Sequence, residues 1–475
     1  MGLLQSAKKL GSTFFGYDAI ETGSKRKSRG STIKAEHKVL KDQGRNRLTA
    51  ESSDLRRNFA LLAWAIRKHL DYVASFNFQA RTGIRELDDA IERYIRDESK
   101  AHRFDIAGRH DLRSYIRTLE ASAIIGGDCG SIRMKSGHVQ AIETDRIKNP
   151  PKMQNLADSD SWIQGVRVNE YGRAIEYAVH NRDSNFTGVN FGRLVPASNF
   201  HLHAYLDRFD QVRGVTPLSA GLNSLIDTYE GINYTLAKMK VEQLFAMLIT
   251  RGGNDAAGAL SGGLDADGET EDRSEYKVDF GSGPVLLDME PGEDAKFLKS
   301  DTPGANSQKF LETVIMLTIK SLDLPMSFFN EAHTNFFGSR AAWLHYEKSS
   351  QPKRHRLSSG FLNWWTIWKL RQGIITGRVK FPKGVKLDES LWEWVPVGMP
   401  WWDPVKEVNG EVLAIANGLT TPQAVCKARG TNFEDNIRDT AIAMKIAEEA
   451  GVPLAWAVGN MTQPTEQNDE GGDDA

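Results

Sequence analysis

The sequence predicts an α+β fold that is mainly helical, on three observations. Long segments repeat apolar residues at helical spacing, short alternating segments cluster between residues 130 and 207, and one helix with a heptad pattern precedes a glycine-rich acidic excursion. At 475 residues the chain can bury a large core and form two or three subdomains.

Residues 1–49 read as a basic, partly disordered arm. The first fifty residues hold eleven Lys or Arg against four Asp or Glu and few core-forming side chains. Residues 54–76 read as one amphipathic helix. Leu55, Phe59, Leu62, Ile66, Leu70 and Val73 form its apolar stripe, with Arg56, Arg57, Arg67 and Lys68 off it. Helices near 84–99 and 109–125 follow, and "GGDCGSIRM" breaks the pattern. The strands expected next are "CGSIRM", "HVQAIET", "WIQGVRVN", "AIEYAVH" and "FHLHAYL", with "NEYG" as a hairpin turn.

Pro217 opens a helix expected to run to about 250. Leu218, Leu225, Ile232 and Met239 recur every seven residues, and Leu222, Tyr229 and Leu236 form a line offset by four, a pattern for helices packed side by side. Lys238 and Lys240 sit near its far end. Residues 251–275, with seven acids and two Arg, read as a solvated excursion, and "EYKVDF" and "GPVLLDM" as short strands after it. A second helix, 306–322, brings the chain back. The loop "DLPMSFFNEAHTNFFGS" then leads into a helix over 339–373, roughly 50 Å long, which Pro352 should kink by deleting one backbone bond. The part from "WWDP" onward is helical, with starts at Thr421-Pro422 and Asn432 and an end at Gly451. After Thr462 come five acids and no base, a disordered acidic tail.

The chemistry implied by single motifs is slight. Lys and Arg (60) balance Asp and Glu (62), so composition carries no nucleic-acid signature. Two cysteines, Cys129 and Cys426, cannot build a disulfide framework, and no apolar run approaches the ~20 residues that span a bilayer. Neither a phosphate-binding G-x-x-x-x-G-K-[ST] loop nor a G-x-S-x-G elbow is present. Cys129 among glycines reads as structural. His201 and His203 share one strand face, with Asp207 and Asp210 downstream; this is the basis of an alternative reading, a metal-dependent DNA-processing enzyme. A third reading is a monomeric adaptor built on the long helices. "DADGETED" (265–272) has its glycine at the wrong position for a calcium loop. No motif argues for an enzyme or a cofactor. Trp343, Trp364, Trp365 and Trp368, at helical spacing, read as core rather than base-stacking platforms.

Four stretches in order resemble the lambda-type portal proteins of tailed bacteriophages, over most of residues 45–455. They are "DLRRNFALLAWAIRKHLDYV", "FHLHAYLDRFDQVRGVTPLSAGLNSLIDTYEGI", "TNFFGSRAAWL" and "WWDPVKEVNGEVLAIANGLTTPQAVCKARG". The resemblance implies a non-enzymatic ring of twelve subunits at one capsid vertex of the virion, assembled in the host bacterial cytoplasm without a membrane. Through it the terminase large subunit packages double-stranded DNA. Other implied partners are a head-completion or connector protein and the major capsid and scaffolding proteins. The implied parts are a wing (50–216), stem helices (217–250 and 305–324), a clip (251–304) and a tunnel loop (325–338). A long kinked wing helix with strands (339–402), a crown (403–455) and the tail (456–475) complete it. The tunnel loop would bring His333, Thr334, Asn335 and Phe336 to DNA. Lys238, Lys240, Lys309 and Lys320 would line the channel, and the heptad residues would pack neighbouring stems. Phe336 and Phe337 plugging into the wing is an equal alternative.

Overall fold

The computed structural model describes residues 33–151, 162–185, 188–244, 247–251, 293–297, 305–329, 336–398 and 403–452. The chain divides into two compact units, residues 1–220 with 319–475, and residues 221–318.

After a single helical turn at Glu36–Val39, the larger unit continues with α1 (Asp42–Asn58) and α2 (Ala60–Val73). The stripe from Leu55 to Val73 is buried as expected, but it spans two helices rather than one, because the backbone at Phe59 is extended (φ −113°, ψ 106°). No glycine or proline marks this break. Helix α1 also begins inside the segment read as a basic arm, and its Arg45 is buried. Then come β1 (Phe76–Ala80), α3 (Arg85–Glu98) and α4 (Leu112–Gly126), the last capped by the Asp111 carboxylate accepting from the Ser114 N–H.

The strands that follow are β2 (Asp128–Arg133), β3 (Val139–Glu143), β4 (Trp162–Ile163), β5 (Val166–Val168), β6 (Ala174–Arg182), β7 (Val189–Pro196) and β8 (Phe200–Ala204). They form two antiparallel sheets, β3-β2-β8 and β4-β5-β6-β7. "WIQGVRVN" proves to be two strands, turned at Gln164 and Gly165, both with positive φ. "NEYG" is the hairpin turn expected: the Asn169 side chain accepts from Tyr171 and Arg173 N–H, and Gly172 has φ 77°. Strand β7 was not among those expected. Its alternation is interrupted by Gly192, where the Asn181 side chain of β6 crowds the backbone. Ile132, Ile142, Val166, Tyr177 and Phe200 form a shared core, with Tyr177 stacked on Phe200 at 4.0 Å between ring centroids.

The smaller unit holds α5 (Leu222–Leu244), β9 (Met247–Arg251), β10 (Glu293–Phe297) and α6 (Ala305–Ile319). Helix α5 ends short of the expected residue 250, and the chain becomes a strand instead. β9 and β10 pair antiparallel from Met247↔Phe297 to Arg251↔Glu293. The strands read at "EYKVDF" and "GPVLLDM" lie outside the described residues.

Back in the larger unit, α7 (Phe336–His355), a π-helical segment (Arg356–Leu362) and α8 (Asn363–Ile375) run on as one helical rod. Pro352 lies within α7, and the irregularity follows it by four residues rather than falling on it. The widened turn is satisfied locally: Ser358 and Ser359 hydroxyls donate to the His355 carbonyl, and Gly360 lets His201 approach where a Cβ would meet it at 3.1 Å. Trp365 and Phe361 are fully buried against Phe104 and Tyr115, so Trp365 is core as expected, whereas Trp343, Trp364 and Trp368 are only half-buried, with Arg133 3.9 Å over the Trp364 ring. β11 (Trp392–Pro396) pairs with β1. Three helices end the described chain, α9 (Pro404–Ala416), α10 (Pro422–Ala428) and α11 (Phe433–Ala450). Thr421 and Asn432 cap the last two through their side-chain oxygens, and Gly451 stops α11 with φ 67°.

One buried cation joins the two sheets to the segment that follows β8. Arg213 places its guanidinium on both oxygens of Asp128 (2.6 and 2.7 Å) and donates to the carbonyls of Thr144, Ile147 and Gln164. Asp128 also accepts from Thr144 Oγ1 and the Gly214 N–H, and these cations and donors hold its carboxyl below the usual range despite burial. Arg213→Met should therefore cost about 3–5 kcal/mol in chemical denaturation, because Asp128 is left charged and buried. Adding Asp128→Leu should recover part of that loss, whereas a single variant as stable as the parent would contradict the assignment.

Candidate functional site

The loop expected to approach DNA is fixed at both described ends. On the entering side, Leu322 and Leu324 are buried and Asp323 takes a left-handed turn (φ 61°). Phe328 then stacks on Tyr72 of α2 (5.6 Å) and meets Tyr346 of α7 edge-on (5.4 Å), while Phe329 meets Trp64 edge-on (6.1 Å). On the leaving side, Tyr346 is 1 % exposed and also packs edge-on to Tyr72 (5.0 Å). Polar bonds reinforce the aromatic cluster. Lys353 donates to the Leu322 carbonyl (3.2 Å) and pairs with Asp323 (2.6 Å), and Arg354 donates to the Tyr72 carbonyl (2.6 Å) and grips Glu347. Arg340 pairs with Glu407 of α9 (3.3 Å). Lys353 and Arg354 of the basic run thus make their bonds within the larger unit.

Beneath the rod lies a buried polar centre. Glu120 of α4 accepts from His69 (3.1 Å), His203 (2.6 Å) and the Tyr205 hydroxyl, and Arg356 stands 3.9 Å away while stacking over Tyr205. Burial opposes its charge, but the hydrogen bonds and positive potential from both histidines hold the carboxyl well below the usual range. His201, on the same face of β8, packs against Phe361 and Trp364; burial first, then the neighbouring His203 and Arg133, push its imidazole down to about 3. Burial likewise lowers His69.

This geometry removes the metal-enzyme alternative. His203 turns its Nε2 to Glu120 as a donor, Asp207 and Asp210 are exposed, and Asp210 pairs with Arg208. No group of three His, Cys, Asp or Glu able to hold a metal occurs among the described residues. Cys129 is buried, donates to the Leu119 carbonyl at 3.2 Å, and has its thiol pushed up by burial, the opposite of an activated nucleophile.

The remaining expected residues divide. His333, Thr334 and Asn335 lie outside the described residues, and Phe336 begins α7 with its side chain also outside them. Lys238, Lys240, Lys309 and Lys320 are all exposed. Of the heptad residues, Leu218, Leu222 and Leu225 are already buried within one protomer, whereas Tyr229, Ile232 and Met239 are half-buried and Leu236 is 50 % exposed. Tyr234, Phe310 and Leu317 add exposed apolar surface to α5 and α6. The anchors Tyr72, Phe328 and Tyr346 were not foreseen; the Phe328-Phe329 pair beside Pro325 was their one visible sign.

The described residues hold no catalytic constellation, and the class of protein they belong to is given by sequence, that of the phage portal proteins. The chain belongs to their lambda family: "Phage portal protein, lambda family" matches residues 23–351. Portal protein B of Escherichia phage lambda is 21 % identical over 482 residues, covering 89 % of this chain and 88 % of that protein. The portal protein of Escherichia phage N15 is 20 % identical over 470 residues, covering 87 % and 86 %. Two solved assemblies contain similar chains. One is the virion of the native gene transfer agent particle (TM-score 0.44, 14 % identity, covering 82 % of this chain and 99 % of that one). The other is the neck of the empty particle computed with C6 symmetry (0.48, 13 %, 80 % and 94 %). The protein is a structural phage portal component, and the alternative of a DNA-processing enzyme has no support.

Because folding holds His201 far below its ~6.5 value in an unfolded chain, stability should be full above pH 6.5 and decline as pH falls toward 3. His201→Leu should remove up to about 1.4 kcal/mol per pH unit of that decline. Thermal melting of both proteins between pH 7 and pH 5 checks this; parallel curves would show that His201 is not held neutral.

Proposed function

We propose that about twelve copies of this chain close into a ring at one capsid vertex of the virion, with the loop at 325–338 of each copy bringing His333, Thr334, Asn335 and Phe336 to the axis. Double-stranded DNA passes through the ring, driven in by a terminase large subunit and later released through a connector or head-completion protein. Assembly in the host cytoplasm would use the major capsid and scaffolding proteins. What carries this reading, beside family membership, is the double anchorage of the loop by Phe328, Tyr72 and Tyr346 and by Lys353 and Arg354. Such anchorage suits a short segment that must keep its position against a sliding polymer. His333, Thr334, Asn335 and Phe336 offer hydrogen-bonding and apolar contact without permanent charge, fitting weak, sequence-neutral contact with a backbone.

The exposed Lys238, Lys240, Lys309 and Lys320 would add diffuse positive charge along the channel. Neighbouring stems would pack through Tyr229, Ile232, Leu236 and Met239, the heptad residues that one protomer leaves accessible. The acidic segment within 251–304 would serve as the clip that meets terminase and connector, and α9–α11 as the crown.

Negative-stain microscopy of the purified protein should show rings with a central hole; a stable monomer at micromolar concentration would end this reading. Deleting residues 330–335 should leave the rings intact and reduce DNA packaging or retention at least tenfold. Unchanged packaging would remove the loop from the mechanism.

A further inference from the structure

One face of the larger unit is more positive than the chain's overall balance of 60 basic and 62 acidic residues would lead one to expect. A cavity of about 380 Å³ is walled by Arg103, Lys135, Lys369 and Arg378, with Glu98 its only carboxylate. Glu98 already serves three of these cations, Arg103 (3.0 Å), Lys369 (2.7 Å) and Arg378 (2.5 Å). Lys135 makes no ion pair among the described residues. From Arg378 the chain continues as "GRVKFPKGVKL" (377–387), with no acid before Asp388. Val379 roots this segment, 1 % exposed and bonded through its N–H to the Gly373 carbonyl, and a turn from Pro382 to Val385 with Gly384 at φ 96° folds it back. Lys380, Lys383 and Lys386 are exposed and pair with no acid among the described residues. Arg371, one turn before the end of α8, is exposed as well, and its charge adds to burial in lowering Arg133 to about 10.

We propose that this face, centred on Lys135, Lys380, Lys383 and Lys386, binds the phosphate backbone of duplex DNA at a place distinct from the loop at 330–335. Duplex DNA carries one negative charge per ~1.7 Å of axis, so a run of under-neutralised lysines on a short fixed segment matches it. Lysines are point charges on flexible stems, suited to phosphates and poor at reading bases. The aromatic ring in the cavity, Tyr94, is already covered by Arg378 (4.8 Å), so no base-stacking platform is left there. An acidic protein partner would need an apolar centre to bind stably, and the face supplies only the exposed Ile375 and half-buried Phe381, Val385 and Leu387. The inference rests on the proposed function only for the identity of the polyanion.

The test uses the assembled full-length protein and covalently closed circular duplex DNA, which cannot thread a closed ring. The parent should bind it at 50 mM salt and weaken steeply by 200 mM. Lys380→Ala/Lys383→Ala/Lys386→Ala, with all three side chains exposed, should melt and assemble like the parent. It should lose at least tenfold in affinity, and its log–log salt slope should shrink by two to three, at about 0.9 per lost phosphate contact. No binding by the parent, or an unchanged affinity and slope in the variant, would overturn the proposal. A preference for polyglutamate over DNA at equal charge would also overturn it, in favour of a protein partner. If rings fail to form at all, it is the portal reading that fails, and micrographs of the same sample show which.

Discussion

The ion pair between Arg213 and Asp128, with both side chains at most 2 % exposed, is the interaction on which the geometry of the two sheets depends. Asp128 opens the central strand β2, and Arg213 lies where the chain leaves β8 for the turn before α5. One guanidinium therefore fastens the sheet, the Thr144–Ile147 turn and the Gln164 hairpin to the segment that follows β8. Arg45 of α1 adds a second cation, bonded to Gln164 (3.0 Å) and to the Gly214 carbonyl. Its own pKa falls to about 10 through burial and the nearby Arg213. Two arginines around one carboxylate stabilise little in themselves, since desolvation offsets most of the attraction, but they fix a single arrangement because any slip strands a buried charge.

The interrupted rod depends on that frame. Its π-helical turn puts Gly360 against His201 and Arg356 over Tyr205, so the rod's register is read by the Glu120 centre. A single α-helical register through 356–362 would rotate these residues off their partners. The register in turn sets Lys353, Arg354 and Tyr346, which close the aromatic clamp at the loop. Position thus passes from the core to the loop through buried, directional contacts, which is what rigid presentation of a short segment requires.

Much of this was legible in the residues. The apolar stripe of 54–76, the Asn169 hairpin, the caps at Thr421 and Asn432 and the stop at Gly451 follow from local chemistry, and the structure has them. The break at Phe59 was not legible, because no residue there disfavours helix; tertiary packing decides it. β7 was hidden by polar alternation around Gly192, and β9 by its helix-compatible residues "MLITR". The π-turn gave a partial sign in Pro352 and the Ser358–Gly360 run, but its position depends on His201, far away in sequence. Of the candidate site, the four lysines expected along a channel are exposed in one chain, which leaves their role open to test, whereas Leu218, Leu222 and Leu225 are buried within it. The clamp at Tyr72 was invisible because that tyrosine lies off the helix stripe.

The proposed contact between DNA and the loop that carries Thr334 can be probed at that residue itself. A photo-crosslinking side chain placed at position 334 of the assembled ring, with duplex DNA halted in the channel, tests it directly. The same group at position 171, where the native Tyr171 is 84 % exposed on the 169–172 turn, is the control. The account predicts a covalent DNA adduct from 334 and none from 171. No adduct from 334, or equal adducts from both, would contradict it.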